Sequence, residues 1–162
     1  MSPSPTHIGA PDGSPFIDLD REFDAPADLV FRALTEPGLV ARWLGPRDLR
    51  MRIVEYDART GGGYRYVHVA PDGSEYAFRG VFHTVTRPAL MIQTFEFEGA
   101  PGSVSLETRT LRDLGGRTAL HQHTVFPSVA ARDRAIADGM RRGITESMER
   151  LDELMQRQDG SS

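Results

Sequence analysis

From Leu49 to Phe126 the sequence is a run of short segments, each closed by a turn only a few residues long. Leu49, Met51 and Ile53 alternate with Arg50 and Arg52, the period-two pattern of a half-buried strand. Gly61-Gly62-Gly63 is a turn, and Tyr64 to Val69 is a strand with its aromatics on one face. Pro71-Asp72-Gly73-Ser74 carries hairpin-turn chemistry. Tyr76–Val85, Leu90–Phe97, Val104–Arg112 and Thr118–Phe126 complete six predicted strands. Arg87-Pro88, Gly99-Ala100-Pro101-Gly102 and Leu114-Gly115-Gly116 separate the last four. Connections this short join antiparallel neighbours, because a parallel pair needs a crossover of a dozen residues or more. The chain is therefore committed to an antiparallel sheet, one face of which needs a cover.

The flanks supply that cover. Phe16 to Phe23 is a first strand. Asp24 is the expected N-cap of a short helix, with Pro26 in its first turn and Asp28 at its positive end. Val30, Phe31 and Leu34 give that helix its apolar spacing, and Pro37-Gly38 breaks it. Leu39, Val40, Trp43 and Leu44 make a second short helix, stopped by Gly45-Pro46. The chain is expected to end in one long helix over 128–157, N-capped by Ser128. Val129, Ile136, Met140, Leu151 and Leu154 share one face, flanked by Ile144, Met148 and Met155. Arg134, Asp138, Arg141, Glu149 and Asp152 fall opposite, and Asp138–Arg142 and Glu146–Arg150 are spaced as i,i+4 pairs. The element order predicts an α+β fold: a curved antiparallel sheet wrapped around a long C-terminal helix, with two short helices after the first strand. Residues 1–15, with four Pro, two Gly and three Ser, are expected to be a flexible N-terminal tail, and 16–158 a single domain.

Composition narrows the chemistry. The 162 residues suit one domain. There is no Cys, which excludes disulfides, thiol catalysis and Cys-based metal sites. All 19 basic residues are Arg, so Schiff-base lysine chemistry and Walker-type phosphate loops are absent. A net charge of −4 argues against nucleic acid as a partner. No apolar run reaches the ~20 residues of a membrane span, and the N-terminus lacks the pattern of a secretory signal, so a cytoplasmic protein is expected.

A set of local motifs is more specific. It comprises Phe23-Asp24-Ala25-Pro26, Val30-Phe31-Arg32-Ala33-Leu34-Thr35, Arg42-Trp43-Leu44-Gly45-Pro46, and Gly61-Gly62-Gly63-Tyr64-Arg65-Tyr66. Phe78-Arg79-Gly80-Val81-Phe82-His83, Gln93-Thr94-Phe95-Glu96-Phe97-Glu98-Gly99 and Ser128-Val129-Ala130-Ala131-Arg132-Asp133 continue it, and Gly139-Met140 and Glu149-Arg150-Leu151-Asp152-Glu153-Leu154 close it. Together these resemble the SRPBCC (START/Bet v 1-like) superfamily, and within it bacterial proteins similar to the C-terminal domain of the activator of Hsp90 ATPase. The resemblance spans about 16–157. It implies a helix-grip fold with a cavity between sheet and long helix. It implies no single chemistry, since superfamily members carry lipids or hormones, cyclise polyketides, sequester antibiotics or assist chaperones. Where the family usually shows a paired Trp before Gly-Pro, this chain has Trp43-Leu44.

Candidate site residues follow from parity and spacing. Tyr64, Tyr66 and His68 share a strand face, as do Tyr76, Phe78 and Phe82, and Met91, Gln93, Phe95 and Phe97. Which face turns inward stays open at this level, because a one-residue slip inverts it. Gly143 and Ser147 sit near the centre of the helix stripe and Gly139 at its edge. They either let helix and sheet approach closely or leave room for a guest. Met140 and Met148 suit an adaptable pocket or simply fill a core. Trp43 gates the cavity or plugs the domain. His121-x-His123 lacks a third protein ligand for zinc, so no metal is expected. The opposite parity, Leu120, Gln122 and Thr124, resembles the family's inward face, which would make Gln122 a buried polar group in need of a partner that a ligand could provide. Glu96, Glu98 and Glu107 serve as a base only if one points into an apolar cavity. Arg47, Arg50 and Arg52 form a basic cluster best explained as a solvated strand face.

The expected function is cofactor-free binding of a small apolar or aromatic molecule. The expected lining is Trp43, Tyr64, Tyr66, Phe78, Phe95, Gln122, Met140, Gly143 and Ile144, in a monomer or homodimer. The alternatives are a module that assists a chaperone or another protein, and a cyclase or hydrolase. The first needs an exposed apolar patch. The second needs polar groups converging inside the pocket.

Overall fold

The computed structural model describes residues 5–160. Its elements in chain order are β1 (His7–Gly9), β2 (Phe16–Phe23), α1 (Ala27–Thr35), α2 (Pro37–Trp43), β3 (Arg50–Tyr56) and β4 (Gly63–Val69). They continue as β5 (Glu75–Thr86), β6 (Leu90–Phe97), β7 (Val104–Asp113), β8 (Thr118–Val125), α3 (Val129–Ala137) and α4 (Met140–Gly160). The strands form one antiparallel sheet of order β1-β2-β8-β7-β6-β5-β4-β3. The meander from β3 to β8 follows the short turns, and β2 then pairs with β8, Phe16 opposite Val125 through Phe23 opposite Thr118. This places β2 and β3 toward opposite edges of the sheet. The connection α1–α2 runs between them, touching β7, β3 and α4. With α4 on the inner face, the arrangement is a helix-grip fold.

The core gathers where these elements meet. Phe23 of β2, Val30, Phe31 and Leu34 of α1, Trp43 of α2, Phe82, Met91 and Leu120 of the sheet, and Leu151, Leu154 and Met155 of α4 are fully buried. Burying a side chain of this size stabilises by roughly 1.5–3 kcal/mol relative to exposure.

Four sequence expectations change. The single C-terminal helix is two: Gly139 adopts φ +97°, a left-handed conformation that ends α3 and restarts the chain as α4. Val129 and Ile136 thus leave the stripe that carries Leu151 and Leu154. The expected i,i+4 pairs also change, since Arg142 meets Glu146 at 2.8 Å and Asp48 at 3.2 Å. Arg150 instead donates to the carbonyls of Gly45 at 2.9 Å and Arg42 at 3.0 Å. Asp152, expected on the solvent side, is buried beside Arg21 of β2 at 3.3 Å. The N-cap of α1 is Pro26 rather than Asp24, with no side-chain cap, whereas Ser128 caps α3 as expected by accepting from Ala131 N–H.

The segment expected as a tail also contributes structure: Ile8 of β1 pairs opposite Leu19 of β2. Arg132 of α3, buried, donates to the Pro11 carbonyl at 2.7 Å and the Ser14 hydroxyl at 3.1 Å. A guanidinium and one edge strand therefore order a stretch whose composition favours disorder. Residues 1–4 lie outside the described residues. Among the described residues no helix is long and apolar enough to cross a membrane.

Candidate functional site

Sheet parity decides which side chains face α4. Burial of Met91, Leu111 and Leu120 turns the alternate positions of β6, β7 and β8 inward with them. Tyr64, Tyr66 and His68 of β4 and Phe78 of β5 turn the same way. Between this surface and the N-terminal half of α4 lies a cavity of about 680 Å³. Its sheet wall is an aromatic array in which Tyr66 stacks on Phe78 at 5.4 Å and Phe78 on Phe95 at 5.3 Å between ring centroids. Met140, Gly143, Ile144, Ser147 and Met148 form the helix wall, and α3 lines the space with Ala131, Arg134, Ala135 and Asp138.

The nine expected lining residues all border this space. Trp43 and Gln122 do so from α2 and β8, Tyr64, Tyr66, Phe78 and Phe95 from β4 to β6, and Met140, Gly143 and Ile144 from α4. Gly143 resolves the question of close approach: a Cβ built there meets no atom within 4 Å, so the helix is not pressed onto the sheet at this point. Ser147 has a different job. Its hydroxyl accepts the Gly45 N–H at 2.8 Å and ties α4 to the end of α2. Trp43 is a fixed wall, fully buried, with its indole N–H donated to the Ala33 carbonyl at 2.8 Å.

Two of the tyrosine hydroxyls nearby are satisfied by backbone. Tyr64 donates to the Thr94 carbonyl at 2.5 Å and Tyr56 to the Leu34 carbonyl at 2.9 Å. Burial raises both phenols, Tyr56 to about 12. His68 is 5% exposed, packed edge-on against Tyr66 and Phe78, and its Nδ1 has no hydrogen-bond partner. Burial, with a smaller push from Arg150, pulls its pKa down to about 4, so the ring is neutral at neutral pH. Gly45 is required behind it: a side chain there would collide with the imidazole.

Against this apolar background one polar group stands out. Gln93 of β6, Glu107 and Arg109 of β7 and Gln122 of β8 are 4, 7, 8 and 7% exposed, and all border the cavity. They meet because Glu107 pairs across from Gln93 and Arg109 across from Gln122 in the sheet register. Arg109 Nε donates to Gln122 Oε1 at 2.7 Å, and Nη1 reaches Gln93 Oε1 at 3.5 Å. Gln122 in turn donates to the Thr124 hydroxyl at 3.2 Å. Burial raises the Glu107 carboxyl above its usual range, with Arg109 opposing. A carboxyl raised in this way can exchange a proton with a bound group.

Of these four, the sequence reading placed only Gln122 in the lining. Gln93 stood on a recognised face, Glu107 was a conditional base, and Arg109 was missed. The available signal was parity: Arg109 lies two residues before inward Leu111, but a charged inward residue shows the same alternation as a solvated one. His121 and His123 lie on the outer face, each against an Asp of β2: His121 Nδ1 to Asp20 at 2.8 Å and His123 Nδ1 to Asp18 at 2.7 Å. Glu96 pairs with Arg79 and Glu98 with Arg65, both directed away from the cavity group, and each carboxyl is lowered.

An antiparallel sheet gripping a helix over an aromatic cavity defines an SRPBCC-type α+β protein. The chain matches the family described as Activator of Hsp90 ATPase homolog 1-like protein over residues 24–156, and it belongs to that family. Comparison with curated proteins finds no match. Among solved structures, a protein from Rhodobacter sphaeroides is 26% identical, with TM-score 0.86 over 94% of this chain and 99% of that one. A protein from Arthrobacter aurescens is 24% identical, with TM-score 0.87 over 93% and 91%. One from Mycobacterium smegmatis is 22% identical, with TM-score 0.84 over 93% and 97%, and the last two likenesses bear on the fold alone.

Proposed function

We propose that the chain binds a small, largely apolar or aromatic molecule between the sheet and α4. The observation that carries this reading is the cavity itself. About 680 Å³ falls within the ~300–1,000 Å³ of ligand pockets, and aromatic walls with a few convergent polar groups are their usual make-up. Open space at Gly143 supports it, because a helix serving only as core cover would fill that position. Membership of a fold family that commonly holds hydrophobic ligands supports it further.

The test is a thermal-shift and native-mass screen of the purified protein against aromatic and aliphatic small molecules. Stoichiometric binding that raises the melting temperature is expected, and it should be lost in a variant whose cavity is filled. A complete absence of binders across a broad apolar set would remove the reading. A protein-partner role, the alternative that the family's description suggests, has less support on the surface. Leu106 and Val125 pair on the outer face and are exposed, but small numbers of exposed apolar side chains are ordinary.

A further inference from the structure

The ligand reading leaves one feature of the cavity unexplained, a buried cation without an adequate counter-charge. A guanidinium carries five N–H donors. Arg109 uses Nε fully on Gln122, while its Nη1 contact to Gln93 is at the limit of a hydrogen bond. The nearest carboxylate oxygen, Glu107 Oε1, stands 4.0 Å from Nη2, outside hydrogen-bond distance. Buried charges are normally paired and hydrogen-bonded, because transfer from water otherwise costs several kcal/mol. Its inward neighbours on β7 are Leu111 and Glu107, so the apolar core and the polar group meet at this position. The guanidinium carbon also lies over the Trp43 ring, 6.0 Å from its centroid, a cation–π contact that supplies no hydrogen-bond acceptor.

We infer that the molecule held in this cavity carries a carboxylate on its apolar or aromatic body, and that Arg109 receives that carboxylate beside Glu107. The inference rests on the ligand-binding reading and narrows it to a chemical class. Arg is suited to this task because its planar fork matches a carboxylate with two parallel bonds. Gln93 and Gln122 hold the guanidinium in place from both neighbouring strands, so the donors are oriented before a ligand enters. Burial disfavours the anionic form of Glu107, which reduces the repulsion a ligand carboxylate would meet beside it. The aromatic array of Tyr66, Phe78 and Phe95 takes the apolar body. Arg134 of α3 and Asp138 at its C-terminal end also line the space but are exposed, which leaves Arg109 as the buried cation on its wall.

The test uses matched probes on the full chain: 2-naphthoate against 2-naphthamide and 2-naphthylmethanol, and dodecanoate against dodecanol. Trp43 is the only Trp and borders the cavity, so its fluorescence reads occupancy, with calorimetry as a second readout. Each carboxylate is expected to bind at least tenfold more tightly than its neutral partners, and Arg109→Met should erase that preference while neutral probes still bind. Equal affinity for acid, amide and alcohol in the native protein would overturn the inference and leave the ligand reading standing. Failure of every probe, neutral and charged, would remove both. The comparison within the native protein needs no variant, so it decides the ligand class even if Arg109→Met fails to fold, and Arg134→Gln, which should keep the preference, then separates the two arginines.

Discussion

The two halves of α4 face the same sheet and do different things. From Met148 to Met155 the helix is core: Leu151, Leu154 and Met155 are fully buried near α1 and β2, and even the polar Asp152 is enclosed against Arg21. From Met140 to Ser147 it stands over the cavity, with Met140, Gly143 and Ile144 only half-buried and open space beside Gly143. One continuous helix thus anchors at its C-terminal half and roofs a cavity with its N-terminal half. Stability should therefore be concentrated in the anchor and ligand selectivity in the roof, and substitutions can separate the two.

The largest effect belongs to the anchor. Leu151→Asp places an unpaired charge where the native side chain is wholly buried. The expected loss is at least ~4 kcal/mol, combining lost packing with the cost of burying a charge, enough to unfold a domain of ordinary stability. Circular dichroism and urea denaturation would show it, and a folded variant with an unchanged midpoint would dissolve the contrast between the halves.

Next comes the ion pair within the same half. Asp152→Ala leaves Arg21 buried with its Nε unpartnered and its Nη2 deprived of a carboxylate. Removing one partner of a buried pair typically costs ~3–5 kcal/mol, and the Thr6 hydroxyl that accepts from Nη1 at 2.8 Å moderates this toward the lower end. An Arg21→Met, Asp152→Leu double variant should recover much of the loss in the same denaturation assay. If the single variant costs nothing, the pair is incidental to the anchor.

On the cavity side the sensitivity shifts from packing to protonation. His68 titrates at about 4 when folded, against 6.5 for the free side chain. The unfolded chain then binds more protons between those values, so this contribution is fully present above pH 6.5 and is lost as pH falls toward 4. The loss is on the order of 2 kcal/mol, discounted because the ring borders the cavity rather than closed core. His68→Phe, which keeps a ring between Tyr66 and Phe78, should flatten that part of the stability–pH curve. Parallel curves for variant and native protein would mean that the imidazole is better solvated than its burial indicates.

What could be read in the sequence follows the same division. The meander and the anchor were legible because both rest on apolar periodicity: Leu90–Phe97 is β6 as expected, and Leu151 and Leu154 are buried as the helical stripe requires. The break at Gly139 was not, since a glycine within a helical pattern signals a cost but not a positive φ. Strand parity grouped the aromatics that border the cavity onto shared faces without saying which face turns inward, whereas Arg109 was hidden because a charged inward residue has the same appearance as a solvated one. Only the register, which sets it beside Gln122 and Met91, distinguishes them. The order of His7–Gly9 rests on long-range partners that local composition does not encode.

The smallest stability effect is the most informative about the roof. Gly143→Leu replaces a poor helix former with a good one, a gain of up to ~1 kcal/mol in the helix interior. A Cβ at this position meets nothing within 4 Å, so the new side chain extends into the cavity rather than into the sheet. Overpacking, which would cost ~1–3 kcal/mol in a filled core, is not expected where the first atom of the side chain enters open space. The denaturation midpoint should hold or rise slightly. Binding of aromatic probes should fall at least tenfold, since the leucine occupies volume beside Ile144 and Met140 that a guest would use. The opposite pattern, a sharp drop in midpoint, would show that α4 closes onto the sheet in solution and that its N-terminal half is a second anchor. Stability kept with binding undiminished would instead move the guest toward β6 and β7, away from the helix and closer to Arg109.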